Sequence, residues 1–150
     1  MVDKTKLISK SAFFTSLCMI VYFFLLRGFH LDEMPALRLF NFLFIIIGAN
    51  YAIKKNIILT NEAQYRKNFL VGMYSSLLTI IIALIILIIY VSYVQPSFID
   101  ILQNSFFFWK HTFSFPLIVF IIFIQGVIVS AISSYIIMQY WKKNMPDFRA

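Results

Sequence analysis

Long apolar stretches, separated by short polar segments, dominate the sequence. Four of them cover approximately residues 7–26, 36–53, 69–94 and 116–140. An α-helix needs about 20 apolar residues to cross the hydrocarbon core of a bilayer, and each stretch approaches or exceeds that length. The pattern predicts an all-α protein, an integral membrane four-helix bundle that forms a single membrane domain over residues 1–150.

The first apolar stretch resembles a signal peptide at its start, where Lys4, Lys6 and Lys10 occur. A cleaved signal peptide would end in small residues around its cleavage site. This stretch ends instead at Leu26, directly before Arg27. We therefore expect it to be retained as the first span.

The segment between the third and fourth spans has a helical periodicity of its own. Its apolar residues recur at spacings of three and four, which predicts an amphipathic helix over about residues 97–110. The apolar face contains Phe98, Leu102, Phe106 and Trp109. Such an aromatic face is typical of a helix in the membrane interface. Two interpretations remain open, a cap on the bundle and a docking or lipid-sensing face.

Composition agrees with this architecture. Hydrophobic residues make up 61% of the chain and charged residues 13%, whereas soluble domains have about 45–50% and about 25%. A globule of this size cannot bury so much apolar surface, so we expect the lipid bilayer to cover it. The net charge of +7 does not indicate a nucleic-acid partner, because basic residues beside apolar stretches usually set membrane orientation.

The basic residues are distributed unevenly between the two sides of the predicted bundle. One side carries ten of them: Lys4, Lys6, Lys10, Lys54, Lys55, Arg66, Lys67, Lys142, Lys143 and Arg149. The other side carries only Arg27, Arg38 and Lys110. The positive-inside rule then predicts that both termini are cytoplasmic.

Four basic residues occupy the connection between the second and third spans, namely Lys54, Lys55, Arg66 and Lys67. Basic clusters next to a span attract anionic lipids, at about 1 kcal/mol per residue. Contact with anionic lipid therefore explains them. A docking site for an acidic cytoplasmic protein is the alternative.

Each span also contains a stripe of small or weakly polar side chains at helical spacing. The stripes are Ser11, Thr15, Cys18 and Tyr22; Asn41, Gly48 and Ala52; Gly72, Ser76, Thr79 and Ala83; and Gly126, Ser130, Ser133 and Ser134. Small residues allow helices in lipid to pack closely. The amides Asn41, Asn50 and Gln125 need hydrogen-bond partners there, so we expect them to face other helices. A polar path for a small solute or ion is the alternative.

Catalytic chemistry is not indicated. No Asp or Glu lies within a predicted span, which speaks against an ion-coupled carrier because such proteins usually rely on intramembrane ionisable groups. His30 and His111 do not have the spacing of a helical metal site, and Cys18 is the single cysteine. We expect no catalytic residue, no cofactor and no metal site.

Two short motifs resemble a known group of proteins. The segment from Tyr65 to Gly72 precedes the long third apolar stretch, and Pro96, Phe98 and Asp100 follow it. This layout resembles small bacterial four-span membrane proteins that are classed as a domain of unknown function. The resemblance implies a bacterial inner (cytoplasmic) membrane protein and transfers no catalytic residue.

The sequence therefore favours a non-enzymatic membrane protein, an accessory, scaffold or assembly subunit of a membrane complex. Other membrane subunits, or further copies of the chain, are the expected partners. A small oligomeric permease or channel-like protein is the alternative, with Asn41, Asn50, Gln125 and the serine stripe as its polar path.

Overall fold

Four long helices and one short helix form the structure, a computed structural model that describes residues 4–29, 31, 37, 39–60, 64–104 and 114–144. The helices are α1 (Lys4–Gly28), α2 (Phe40–Thr60), α3 (Tyr65–Ile89), α4 (Phe98–Asn104) and α5 (Phe115–Asn144), and a π-helical turn (Tyr90–Val94) extends α3. The four long helices are each long and apolar enough to cross a membrane. The predicted all-α four-span architecture is confirmed.

The first three spans alternate in direction. The Tyr22 hydroxyl, near the end of α1, donates to the Leu37 carbonyl just before α2, at 2.9 Å. Asn56, near the end of α2, bonds to Asn68 in the first turn of α3. Each helix therefore begins where the preceding one ends, so α1 and α2, and α2 and α3, are antiparallel.

The fourth span, α5, runs antiparallel to α3. The Ser130 hydroxyl bonds to the Met73 carbonyl, and Gly126 lies against Ile80 further along α3. The start of α1 and the end of α5 therefore lie at the same end of the bundle. We call it the basic end, because the first residue of α1, Lys4, and Lys142 of α5 lie there.

The second span extends further than the sequence predicted. Its predicted end was Ile53, but α2 continues to Thr60. Asn56 and Ile57 are buried in this extension, so the inward face of the helix continues for two more turns. The basic Lys54 points outward from the same turns, where a long aliphatic stem can reach the membrane interface.

Among the residues that the structure describes, three buried clusters follow one another along the bundle axis. The cluster nearest the basic end contains Ala49, Ile53, Ile57, Ile137 and Met138. The middle cluster contains Ile45, Ile80 and Leu84. The cluster at the opposite end contains Tyr90, Val91, Phe98, Leu102 and Ile118. In lipid, such clusters stabilise a bundle by close packing, since the solvent is itself apolar.

One glycine permits the close approach of α1 and α2. A Cβ atom at Gly48 would lie 2.9 Å from Thr15 Cγ2 and 3.0 Å from Thr15 Cβ, inside van der Waals contact. The same approach allows the Ser11 hydroxyl to donate to the Gly48 carbonyl at 2.9 Å. Gly48 thus serves the packing role that its small-residue stripe predicts.

The outer surface of the bundle is apolar. Large side chains such as Phe13, Phe14, Ile47 and Ile85 are more than half exposed. A soluble monomer rarely exposes a continuous apolar surface of this extent. This surface agrees with contact between the helices and the lipid bilayer.

Candidate functional site

Hydroxyl side chains fill much of the interior between the helices. The buried ones are Ser11, Thr15, Ser16, Ser75, Ser76, Thr79, Ser130, Ser133 and Ser134. Most of them belong to the small-residue stripes of α1, α3 and α5. The stripes therefore face one another inside the bundle.

Several of these hydroxyls connect different helices. Thr79 Oγ1 donates to the Ser75 carbonyl in its own helix at 2.9 Å and lies 3.5 Å from the Ala12 carbonyl oxygen of α1. Ser130 Oγ donates to the Met73 carbonyl at 3.1 Å and so links α5 to α3. Together with the bond from Ser11 to α2, these contacts tie all four spans through backbone carbonyls. Their arrangement is that of interhelical hydrogen bonding in membranes.

A buried amide pair lies near the basic end. Asn56 Nδ2 donates to Asn68 Oδ1, and Asn68 Nδ2 donates to the Gln64 carbonyl at 3.2 Å. The sequence analysis did not identify this pair. Asn56 lies one turn after Ala52, and Asn68 lies one turn before Gly72, so each amide continues a predicted stripe by one turn. That continuity was the signal available in the sequence.

Three buried oxygen atoms of the described residues have no hydrogen-bond partner, namely Asn41 Oδ1, Asn56 Oδ1 and Ser134 Oγ. Two of them lie beside one turn of α3. Asn56 bonds to Asn68, and Ser134 Oγ would lie 3.0 Å from a Cβ atom at Gly72. An unpartnered polar group in an apolar interior is costly, so each of these three oxygen atoms is able to accept a further hydrogen bond.

The three amides that the sequence analysis singled out have different surroundings. Asn50 lies between two helices, because Trp141 Nε1 of α5 donates to its Oδ1 at 3.0 Å. Asn41 is half-buried. Gln125 is exposed on the outside of α5, so it faces none of the described helices of this chain. Its neighbour Gly126 faces inward, and successive residues of a helix point about 100° apart.

The outward face of α5 is the least covered of the four spans. In the most apolar part of each span, 11% of the residues are buried in α5, against 28%, 39% and 28% in α1, α2 and α3. Gln125 lies on this face between Ile124 and Ile128, which are also exposed. In the middle of the span, this face therefore combines an apolar surface with the amide of Gln125.

The apolar face of α4 points into the bundle. Phe98 is 2% exposed and Leu102 is 7% exposed, so these two side chains favour the interpretation of a cap on the bundle over that of an outward docking face. The Phe98 ring packs edge-to-face on Tyr90 and Phe23, at centroid distances of 5.6 and 5.5 Å. The apolar face of α4 therefore packs against other side chains of the protein and not against lipid. Two further members of the predicted face, Phe106 and Trp109, lie outside the described residues.

A cation lies over the same aromatic cluster. The Arg27 guanidinium carbon is 5.4 Å from the centroid of the Tyr90 ring, a cation–π distance. The Tyr90 hydroxyl bonds to Gln95 Oε1 at 3.0 Å. These contacts close the end of the bundle that is opposite to the basic end.

The four basic residues of the predicted lipid-contact group lie together at the basic end. Lys54, Arg66 and Lys67 are exposed. Lys55 is half-buried and donates from Nζ to the Tyr51 hydroxyl at 2.9 Å. The arrangement gives this end a positive surface that suits phosphate headgroups.

A shallow groove runs between α3 and α5 on the half of the bundle away from the basic end. Its lining consists of Ile81, Leu84, Ile85, Ile88, Pro116, Val119, Phe120 and Phe123. None of these side chains carries a polar group. The groove therefore suits an acyl chain or an apolar side chain and offers no contacts to a polar solute.

No group of three potential metal ligands of the His, Cys, Asp and Glu types occurs within the part of the chain that the structure describes. His30 and His111 lie outside that part. Compared with known protein families, curated proteins and solved structures, the chain matches none. The resemblance to bacterial four-span proteins of unknown function stays a prediction.

Proposed function

We propose that this chain is a non-enzymatic component of a membrane complex, an accessory, scaffold or assembly subunit that acts through helix contacts. The observation that carries the proposal is the exposed amide of Gln125 on the least buried span. Moving an amide from water to an apolar medium without a hydrogen-bond partner costs roughly 2–7 kcal/mol. A partner helix with a polar group at this depth removes that cost.

The interior of the bundle supports the same proposal. Ser11 and Ser130 donate their hydroxyls to backbone carbonyls of neighbouring helices. These polar groups are therefore engaged in holding the helices together. The groove between α3 and α5 is lined by apolar side chains. The exposed amide of Gln125 on the outer surface is then the polar group that a partner helix can reach.

For location, we propose a multi-pass protein of the bacterial inner membrane, with both termini in the cytoplasm. The positive-inside rule supports this orientation, because exposed Lys54, Arg66 and Lys67 and the start of α1 lie at one end of the bundle. The family resemblance supports the bacterial inner membrane. The basic end would then face anionic headgroups of the cytoplasmic leaflet.

The test is purification of the tagged chain from its native membrane in mild detergent. We expect a stoichiometric complex with another membrane protein, and we expect Gln125→Leu to reduce its yield. Gln64→Leu is the matched control, because Gln64 lies before α3, is exposed and makes no side-chain cap hydrogen bond. Recovery of the wild-type chain alone in several mild detergents would contradict the proposal.

A small permease or channel-like protein is the second candidate. The unpartnered oxygen atoms of Asn41, Asn56 and Ser134 favour it, because a polar path needs groups that are free to bind a passing solute. Flux measurements on liposomes that contain the purified chain decide between the two. Flux that Asn41→Leu abolishes would support a permease. Absence of flux for common ions and small solutes would contradict a permease or channel role.

A further inference from the structure

A regular row of exposed residues follows the outward face of α5. Gln125, Ile128, Ile132, Tyr135 and Gln139 are separated by alternating steps of three and four residues. Ile128 is 52% exposed, Ile132 is 53% exposed and Tyr135 is 55% exposed. This spacing is that of a coiled-coil seam, which packs two helices at a small crossing angle.

Gln125 lies deep in the span. It follows Phe115 by ten residues, which at about 1.5 Å per residue places it about 15 Å along the helix. The hydrocarbon core is about 30 Å thick, so the amide lies near the middle of the bilayer. Among the described residues, none forms a hydrogen bond with the Gln125 side chain. Its donors and acceptor therefore have no partner in the described part of the chain, and a group from another chain can supply one.

Resting on the proposed function, we infer that α5 pairs with α5 of a second copy of this chain about a two-fold axis along the membrane normal. The Gln125 amides of the two copies bond to each other across that axis. This inference assigns the outward face of α5 to a second copy and leaves the other faces of the bundle to other subunits of the complex.

Two properties of the row favour a second copy over another partner. A primary amide carries both donors and an acceptor, and a two-fold axis places each residue opposite itself. A second copy inserted in the same orientation presents its own amide at the same depth. Any other partner would need a polar side chain of its own at this depth.

The remainder of the helix also permits self-association. From Phe115 to Trp141, α5 has no charged residue, so two copies meet without like-charge repulsion. Gln139 already bonds to the Tyr65 hydroxyl at 3.4 Å. The pairing is therefore centred on Gln125, with Ile128 and Ile132 as the apolar contacts beside it.

Disulfide cross-linking in native membranes tests the geometry. The background is Cys18→Ser, which removes the only cysteine, and the test variants are Ile128→Cys and Ile132→Cys. Ile85→Cys is the matched control, because Ile85 is 51% exposed but lies on α3. We expect cross-linked dimers from the two α5 variants, at several times the yield of the control. Equal yields at the three positions, or no cross-linking at all, would overturn the inference.

Energy transfer between labelled copies in phosphatidylcholine–phosphatidylglycerol liposomes tests the amide. We expect Gln125→Leu to weaken association roughly 3- to 30-fold, the range that interhelical hydrogen bonds in membranes give. Gln125→Asn keeps the amide and should retain most of the association. Unchanged association in Gln125→Leu, with unchanged helical content by circular dichroism, would overturn the inference.

The two proposals fail separately. A stoichiometric complex with a different membrane protein, without cross-linked dimers, overturns the second-copy inference and leaves the subunit role intact. Cross-linked dimers without any other partner support the inference and contradict a role in a larger complex.

Discussion

Asn56 Nδ2 donates a hydrogen bond to Asn68 Oδ1 over 2.6 Å, and both side chains are 0% exposed. The bond joins the end of α2 to the beginning of α3. The connection between these helices is short, since α2 ends at Thr60 and α3 begins at Tyr65. The amide pair thus fixes the relative position of two antiparallel spans close to the basic end.

Asn68→Leu should lower the free energy of unfolding by about 1–3 kcal/mol, because it leaves the buried Asn56 amide without its acceptor. The double variant Asn56→Leu/Asn68→Leu should lose less unfolding free energy than the sum of the losses in the two single variants, because no buried amide is then left without its partner. Unfolding by sodium dodecyl sulfate in mixed micelles, followed by circular dichroism, measures these differences. Strictly additive losses would contradict a coupled amide pair.

Gly48→Ala should lower the unfolding free energy by about 1–3 kcal/mol through overpacking against Thr15. Thr15→Ala should recover part of this loss, because it removes the atoms that the new methyl group meets. Gly28→Ala is the control, since a Cβ atom there has nothing within 4 Å. The same unfolding experiment applies, and equal effects at Gly28 and Gly48 would rule out the steric explanation.

Phe98→Ala should destabilise the protein by roughly 3 kcal/mol, because it opens a cavity in the aromatic cluster with Tyr90. Tyr93→Ala should have little effect, since Tyr93 is 85% exposed. Thermal unfolding in detergent compares the two variants. If Phe98→Ala left stability unchanged but altered binding of a partner or lipid, the result would contradict a structural role of Phe98 and support the docking interpretation of α4.

Reporter fusions test the orientation. A green fluorescent protein fused after Ala150 should fluoresce, and alkaline phosphatase at the same position should be inactive, because we expect the C-terminus in the cytoplasm. Alkaline phosphatase fused after Pro96, at the opposite end of the bundle, should be active. The reverse pattern would show that the basic end faces outward, contrary to the positive-inside rule.

Much of the architecture could be predicted from the sequence because hydropathy and helical periodicity report directly on burial in lipid and protein. The end of α2 could not be predicted in this way. Charged residues such as Lys54 and Lys55 are typical of a connection between spans, although the helix continues to Thr60. The pattern in α4 correctly indicates that one face is apolar. It does not distinguish lipid from protein as the partner of that face, and Phe98 packs against protein.

The direction of Gln125 follows from a feature that the sequence contained. Gly126, Ser130 and Ser133 form the stripe that faces inward, and Gln125 lies about 100° away from Gly126 around the helix. The amide was expected to face another helix because polar groups avoid lipid. Gln125 points away from the described helices of its own chain, so the helix that we infer it faces belongs to a second copy.

Water access to the interior shows whether the buried hydroxyl groups hold the helices together or line a path across the membrane. Ser76→Cys and Ser130→Cys, each in the Cys18→Ser background, replace buried hydroxyls by thiols of similar size. Tyr93→Cys is the exposed control. In sealed vesicles, a charged thiol reagent should label the control and leave both interior cysteines unmodified. Rapid labelling of the cysteines at positions 76 and 130 would show a water-filled path and contradict a purely structural role of the buried hydroxyl groups.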